Sequence, residues 1–151
     1  MKHLFLFLLL SFSFSSFAQD VQKRNQQFNL ENGIAIQGYD PVAYFGNKAL
    51  KGSKKISALY QGTTYYFSSE NNKNAFQKSP KKYEPQYGGW CAFAMGDYGK
   101  KVEINPETFK IVDGKLFLFY NAYFNNTLKS WNENEKNLNA KADKNWYNFI
   151  K

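Results

Sequence analysis

Histidine is all but absent from this 151-residue chain, where His3 is the single copy. Cysteine is as scarce, with Cys91 alone, and one thiol cannot close an internal disulfide. Carboxylates are a minority, 12 Asp+Glu against 20 Lys+Arg, and no two of them stand at a spacing that marks an acid–base pair. Ser68-Ser69 has neither a Gly-x-Ser-x-Gly setting nor a histidine partner. No catalytic residue is assigned on these grounds.

Position sharpens the scarcity. The chain opens MKHLFLFLLLSFSFSSFAQD: a short basic start, an apolar run, then Ser16-Phe17-Ala18 with small residues where a leader would be cut. The run is short of the ~20 apolar residues that span a bilayer. Residues 1–18 therefore read as a secretory signal, with cleavage near Ala18 and a periplasmic or extracellular destination. His3 and Lys2 leave with such a leader. The remaining 133 residues hold no histidine and 19 basic against 12 acidic side chains, a formal +7. An imidazole base or ligand is then excluded. No transmembrane segment is expected in the mature chain. The lysines are scattered, with only short Lys-Lys pairs, so a solvated basic surface is expected and no nucleic-acid partner.

The polar stretch 19–32 reads as a flexible lead-in, and 33–151 as one domain with a helical C-terminal extension. Ile34-Ala35-Ile36 suits a short strand. Asp40-Pro41 suits a helix start, with the acid as cap and Pro at the first helical position. ISALYQGTTYYF predicts strands over 56–60 and 63–67 around Gln61-Gly62, and FKIVDGKLFLFY predicts a hairpin of 108–112 and 115–120 around Asp113-Gly114. Ser69 caps a predicted helix over 70–78 that Pro80 breaks. The tail, with Leu128, Trp131, Leu138, Ala142, Trp146 and Phe149, is amphipathic and helical in pieces, and is expected on one face of the sheet. The fold class is α+β, a small, mostly antiparallel sheet with short helices.

Asp40-Pro41-Val42, Tyr60, Gly62, YYFSSENNKNAF and SPKKY resemble the YHS domain family. GYDPVAYF, PQYGGWCAFAMG, IVDGKLFLFYN and KADKNW are further similar to an exported, signal-bearing branch of YHS-domain proteins. The resemblance implies an association with heavy metals through three cysteines, one after Asp-Pro-Val and two in a strand-to-helix knuckle. This chain has Ala43, Ser68 and Asn72 at those places. A methyl, a hydroxyl and an amide do not replace thiolates for Zn²⁺ or Cu⁺. The knuckle is expected to survive as architecture without its metal.

Any chemistry then moves to YGGWCAFAMG, which combines bare backbone, aromatics and the lone thiol. Cys91 is either a small buried hydrophobe or a functional thiol, and with Met95 four residues on it forms a weak soft-metal candidate, for copper or a similar ion. The aromatics around it are either core or the wall of a polar pocket. If a site exists, Cys91, Trp90, Tyr39, Asp40 and Tyr66 are expected to form it. The function expected is an exported, non-catalytic binding protein for an unknown small ligand or metal. The alternatives are a thiol-dependent redox enzyme or sensor using Cys91, and an adaptor for an envelope protein.

Overall fold

Four two-residue turns, each with both residues at positive φ, organise the strands of the computed structural model, which describes residues 20–151. The leader expected over 1–18 lies outside the described residues. Asn32-Gly33 joins β1 (Leu30–Glu31) to β2 (Ile34–Ala35), and Gln61-Gly62 joins β3 (Ser53–Tyr60) to β4 (Thr63–Phe67). Asp113-Gly114 joins β5 (Asn105–Val112) to β6 (Lys115–Phe119), and Tyr123-Phe124 joins β7 (Asn121–Ala122) to β8 (Asn125–Asn126). Paired positive φ values match the right-handed twist of the flanking strands. Three of these turns place glycine second, where it has no Cβ to strain. The fourth places Phe124 there, at φ 65°.

The first two hairpins merge into a sheet of order β1-β2-β4-β3, antiparallel except where β2 meets β4 at Ile34 and Thr64. The expected hairpins around Gln61-Gly62 and Asp113-Gly114 are both present. The second carries a bulge between Asn105 and Phe109, and Pro106, which has no N–H to give a ladder, sits inside it. The α+β class with small, antiparallel-rich sheets holds.

Ser69 Oγ accepts from Asn72 N at 3.2 Å and caps α2 (Glu70–Lys78), which packs Phe76 onto β3 and β4. Pro80 then opens α3 (Pro80–Tyr83). A short helix, α4 (Ala92–Asp97), follows the Gly-Gly segment. The tail forms α5 (Thr127–Glu133), capped by Asn126 Oδ1, and α6 (Glu135–Ile150). α6 packs chiefly on α4, where a Cβ on Gly96 would come 2.5 Å from Leu138 O. The tail also covers one face of β6, as expected, with Trp131, Leu138 and Ala142 packed against Phe117 and Phe119.

Residues 20–27 form a helix, α1, in place of the expected lead-in. The helix is held by polar contacts, which an apolar pattern does not reveal. The Arg24 guanidinium pairs with Glu84 and donates to Thr63 Oγ1 at 2.9 Å, and Thr63 Oγ1 donates to Asn25 Oδ1 at 2.9 Å.

Two apolar cores flank β6. Leu116 and Leu118 enter one, with Tyr44, Tyr65, Phe67 and Phe76. Phe117 and Phe119 enter the other, with Trp131, Leu138 and Ala142. Alternation along a strand sends successive side chains to opposite faces, so β6 is buried on both. α4 and the Cys91 that precedes it divide in the same way, with Cys91 and Ala94 in the first core and Ala92 and Met95 in the second.

Candidate functional site

The joint between β4 and α2 is fastened by one carboxylate. Asp40 is wholly buried. Its Oδ1 accepts from the backbone N–H groups of Val42 at 2.8 Å and Ala43 at 3.3 Å. Its Oδ2 accepts from Ser68 N at 2.8 Å, Ser68 Oγ at 2.7 Å and Asn72 Nδ2 at 2.7 Å. Ala43, Ser68 and Asn72 thus converge on Asp40. The expected capping role of Asp40 is present as an Asx turn ahead of the 3-10 turn Ala43–Gly46. Ser68 Oγ is one of five donors gathered on this carboxylate, which holds the hydroxyl as part of the joint.

The five residues proposed from sequence do not form one site. Tyr39 and Tyr66 flank Lys51: its Nζ lies 5.7 Å from the Tyr39 ring centroid, and Lys51 shares a shallow hollow with Tyr66. Tyr39 Oη donates to Glu107 Oε1 at 3.2 Å, and its pKa is raised, by desolvation first and then by that carboxylate. Asp40 points away into the knuckle. Trp90 faces α1, donating from Nε1 to Gln27 O at 2.7 Å. Lys101 lies over the Trp90 and Phe149 rings and donates to Gln27 Oε1, and burial lowers its pKa.

Cys91 is wholly buried, as the structural reading of that residue requires. Its Sγ accepts from Tyr120 N at 3.3 Å and lies 3.5 Å from Thr127 Oγ1, at the floor of a hollow of about 220 Å³. Met95 does follow it along a helix, and Met95 N donates to Cys91 O. The side chains enter different cores, however, so the structure does not bring the soft-metal pair together. The bare backbone before Cys91 serves packing: at Gly88, φ 61°, a Cβ would come 2.8 Å from Trp146 and 2.9 Å from Phe28.

Those two rings line a groove that the sequence did not single out. Adjoining hollows of about 440 and 410 Å³ lie between α1, the 85–88 turn and α6, and share Phe28, Trp146 and Ile150. Phe28 and Trp146 stand with centroids 5.9 Å apart. One end carries Lys81, Glu84, Tyr87 and Asp143, and the other Asp20, Lys23 and Arg24. Glu84 is fixed by Arg24 and by the Tyr65 hydroxyl, which donates to the same oxygen. Tyr87 Oη lies 2.8 Å from Asn139 Oδ1 and 3.0 Å from Asp143 Oδ1, and its pKa is raised well above the ordinary tyrosine range, by burial first and then by Asp143. The one available signal was Phe28, an aromatic isolated in a polar run, together with Trp146 on the apolar face of the tail.

Ala43, Ser68 and Asn72, the three places at which the resemblance puts cysteines, thus meet at one strand-to-helix joint. Residues 43–87 match the model of the YHS domain. No curated protein and no solved structure matches the chain. The YHS domain suggests metal association, and its donor set here does not fit a soft ion. Ser68 and Asn72 turn their protons toward Asp40, Ala43 offers only a methyl, and a single carboxylate remains. Among the described residues no three His, Cys, Asp or Glu side chains cluster as a metal site. No helix among them is long and apolar enough to cross a membrane. The matched stretch 43–87 includes Lys81, Glu84, Pro85, Gln86 and Tyr87 of the aromatic groove, and the other lining residues come from 20–28, Gly88 and α6.

Proposed function

We propose that this chain is an exported, non-catalytic binding protein that takes a small, elongated organic ligand in the groove of Phe28 and Trp146. The observation that carries this reading is the pairing of an aromatic waist with charged groups at both ends of this groove. An apolar body would lie against Phe28, Trp146 and Ile150, and polar termini would meet Glu84, Asp143 and Lys81 at one end and Lys23 at the other. Binding pockets combine an apolar lining with a few placed polar groups in this way. The leader-like residues 1–18 support export, and the YHS domain supports a binding role over a catalytic one.

Native mass spectrometry of the purified protein tests the reading, together with titration of the dye anilinonaphthalene sulfonate followed by fluorescence. The expected result is a co-purifying small mass, or a saturable dye site, that Trp146→Ala weakens at least tenfold. A groove that holds neither, with the same dye response in the variant, would overturn it. Export is tested by fractionation: the mature form should begin at Gln19 and leave the cytoplasm.

A further inference from the structure

The turn Tyr123-Phe124 sets two aromatic rings where the backbone least favours them. The other three turns of this geometry end in glycine, whereas here both residues carry bulky side chains at φ 51° and 65°. Neither ring is packed: Tyr123 is 92% exposed and Phe124 112%. Register fixes them at the tip, because Ala122 pairs with Asn125 and Asn121 with Asn126. Strain and exposure together gain nothing for the fold, and a strained outlier of this kind is a pointer to function.

We propose that this tip inserts into the interface of an anionic lipid bilayer. The rings project from strands only two residues long, a shape suited to entering a soft medium. A specific protein interface needs about 800 Å² from each partner. Tyrosine is enriched at the headgroup level of membranes. The side chains behind the rings, Asn121, Asn125 and Asn126, are uncharged amides. From Gly114 to Asn132 the chain has Lys115 and Lys129 and no carboxylate. On the neighbouring β5, Glu107 accepts from Tyr39. Tyr98, itself 59% exposed, stands on the rim of the hollow that Asn125 also lines, and adds a second aromatic edge on this side. The formal charge of +7 left once residues 1–18 are removed supplies attraction to anionic headgroups, which salt screens. This surface shares no residue with the aromatic groove, so either proposal stands if the other fails.

The test uses the full chain and sucrose-loaded vesicles of phosphatidylcholine with and without phosphatidylglycerol. The double variant Tyr123→Asn, Phe124→Gly restores the residues the turn favours. It should partition at least tenfold more weakly onto the anionic vesicles while its thermal midpoint stays level or rises. Because an apolar leader could bind lipid by itself, Phe124→Trp adds a reporter at the tip. Its extra emission should shift to the blue and be quenched by brominated lipid, less so in high salt. Equal partition of the double variant, or a Phe124→Trp signal that vesicles leave unchanged, would overturn the proposal. Capture of a soluble protein through the tip without any lipid effect would overturn it too.

Discussion

Removing the Asp40 side chain strands donors at three separate places: the 42–43 turn, Ser68 and Asn72. A buried donor without a partner costs about 1–3 kcal/mol, and bonds to charged groups lie at the upper end. Asp40→Ala should therefore lose about 3–5 kcal/mol in urea denaturation, far more than Ser68→Ala. A loss under about 1 kcal/mol would show that the joint holds without it. Cys91, buried and bonded through sulfur, should react with iodoacetamide only after denaturation. Rapid labelling of the folded protein would revive the redox alternative. Tyr44, Tyr65 and Tyr87 have pKa values raised above the ordinary tyrosine range, chiefly by burial. The unfolded chain releases those protons near pH 10 while the folded chain keeps them. Their stabilisation is thus complete below pH 10 and declines above it, by about 1.4 kcal/mol per pH unit for each tyrosine. Melting curves from pH 8 to 11.5 should fall steeply beyond pH 10. At this scale the sequence marked Asp40, Ser68 and Asn72 individually. Their convergence was hidden, because they lie 28 and 32 positions apart and no local spacing encodes the contact.

Elements were legible where local chemistry decides them. Gln61-Gly62, Asp113-Gly114 and the Ser69 cap all mark what the structure contains. Asn32-Gly33 is an equally strong turn pair, yet its two-residue strands are too short to show alternation and lie beside a polar run. α1 escaped for a different reason: its contacts are hydrogen bonds and an ion pair supplied by distant residues. α4 and α6 meet at Gly96, so Gly96→Ala should force the helices apart and cost about 2–3 kcal/mol, as overpacking does. A thermal midpoint as high as that of the parent would show that α6 can shift freely.

At the level of the molecule, β6 and α4 serve both cores, so the two cores cannot unfold independently without exposing a shared element. Denaturation followed by Trp131 fluorescence, in the second core, should coincide with that followed by backbone circular dichroism; separate transitions would contradict the shared partition. The composition carried the broad class but not this division, since Cys91 and Met95 read as one helical face and only tertiary packing sends them apart. The groove also belongs to this scale, being built from three segments that span the chain.

The Asp40 joint ties the 40–43 turn, the end of β4 and the first turn of α2 through one side chain. Its strands of attachment are hydrogen bonds supplied by the polypeptide itself, and every partner is encoded in the same chain. A tether of this kind has no reduction potential and no ion to dissociate. Its assembly is complete once the chain has folded, with no delivery step, chaperoned metal or thiol chemistry standing between synthesis and the finished joint.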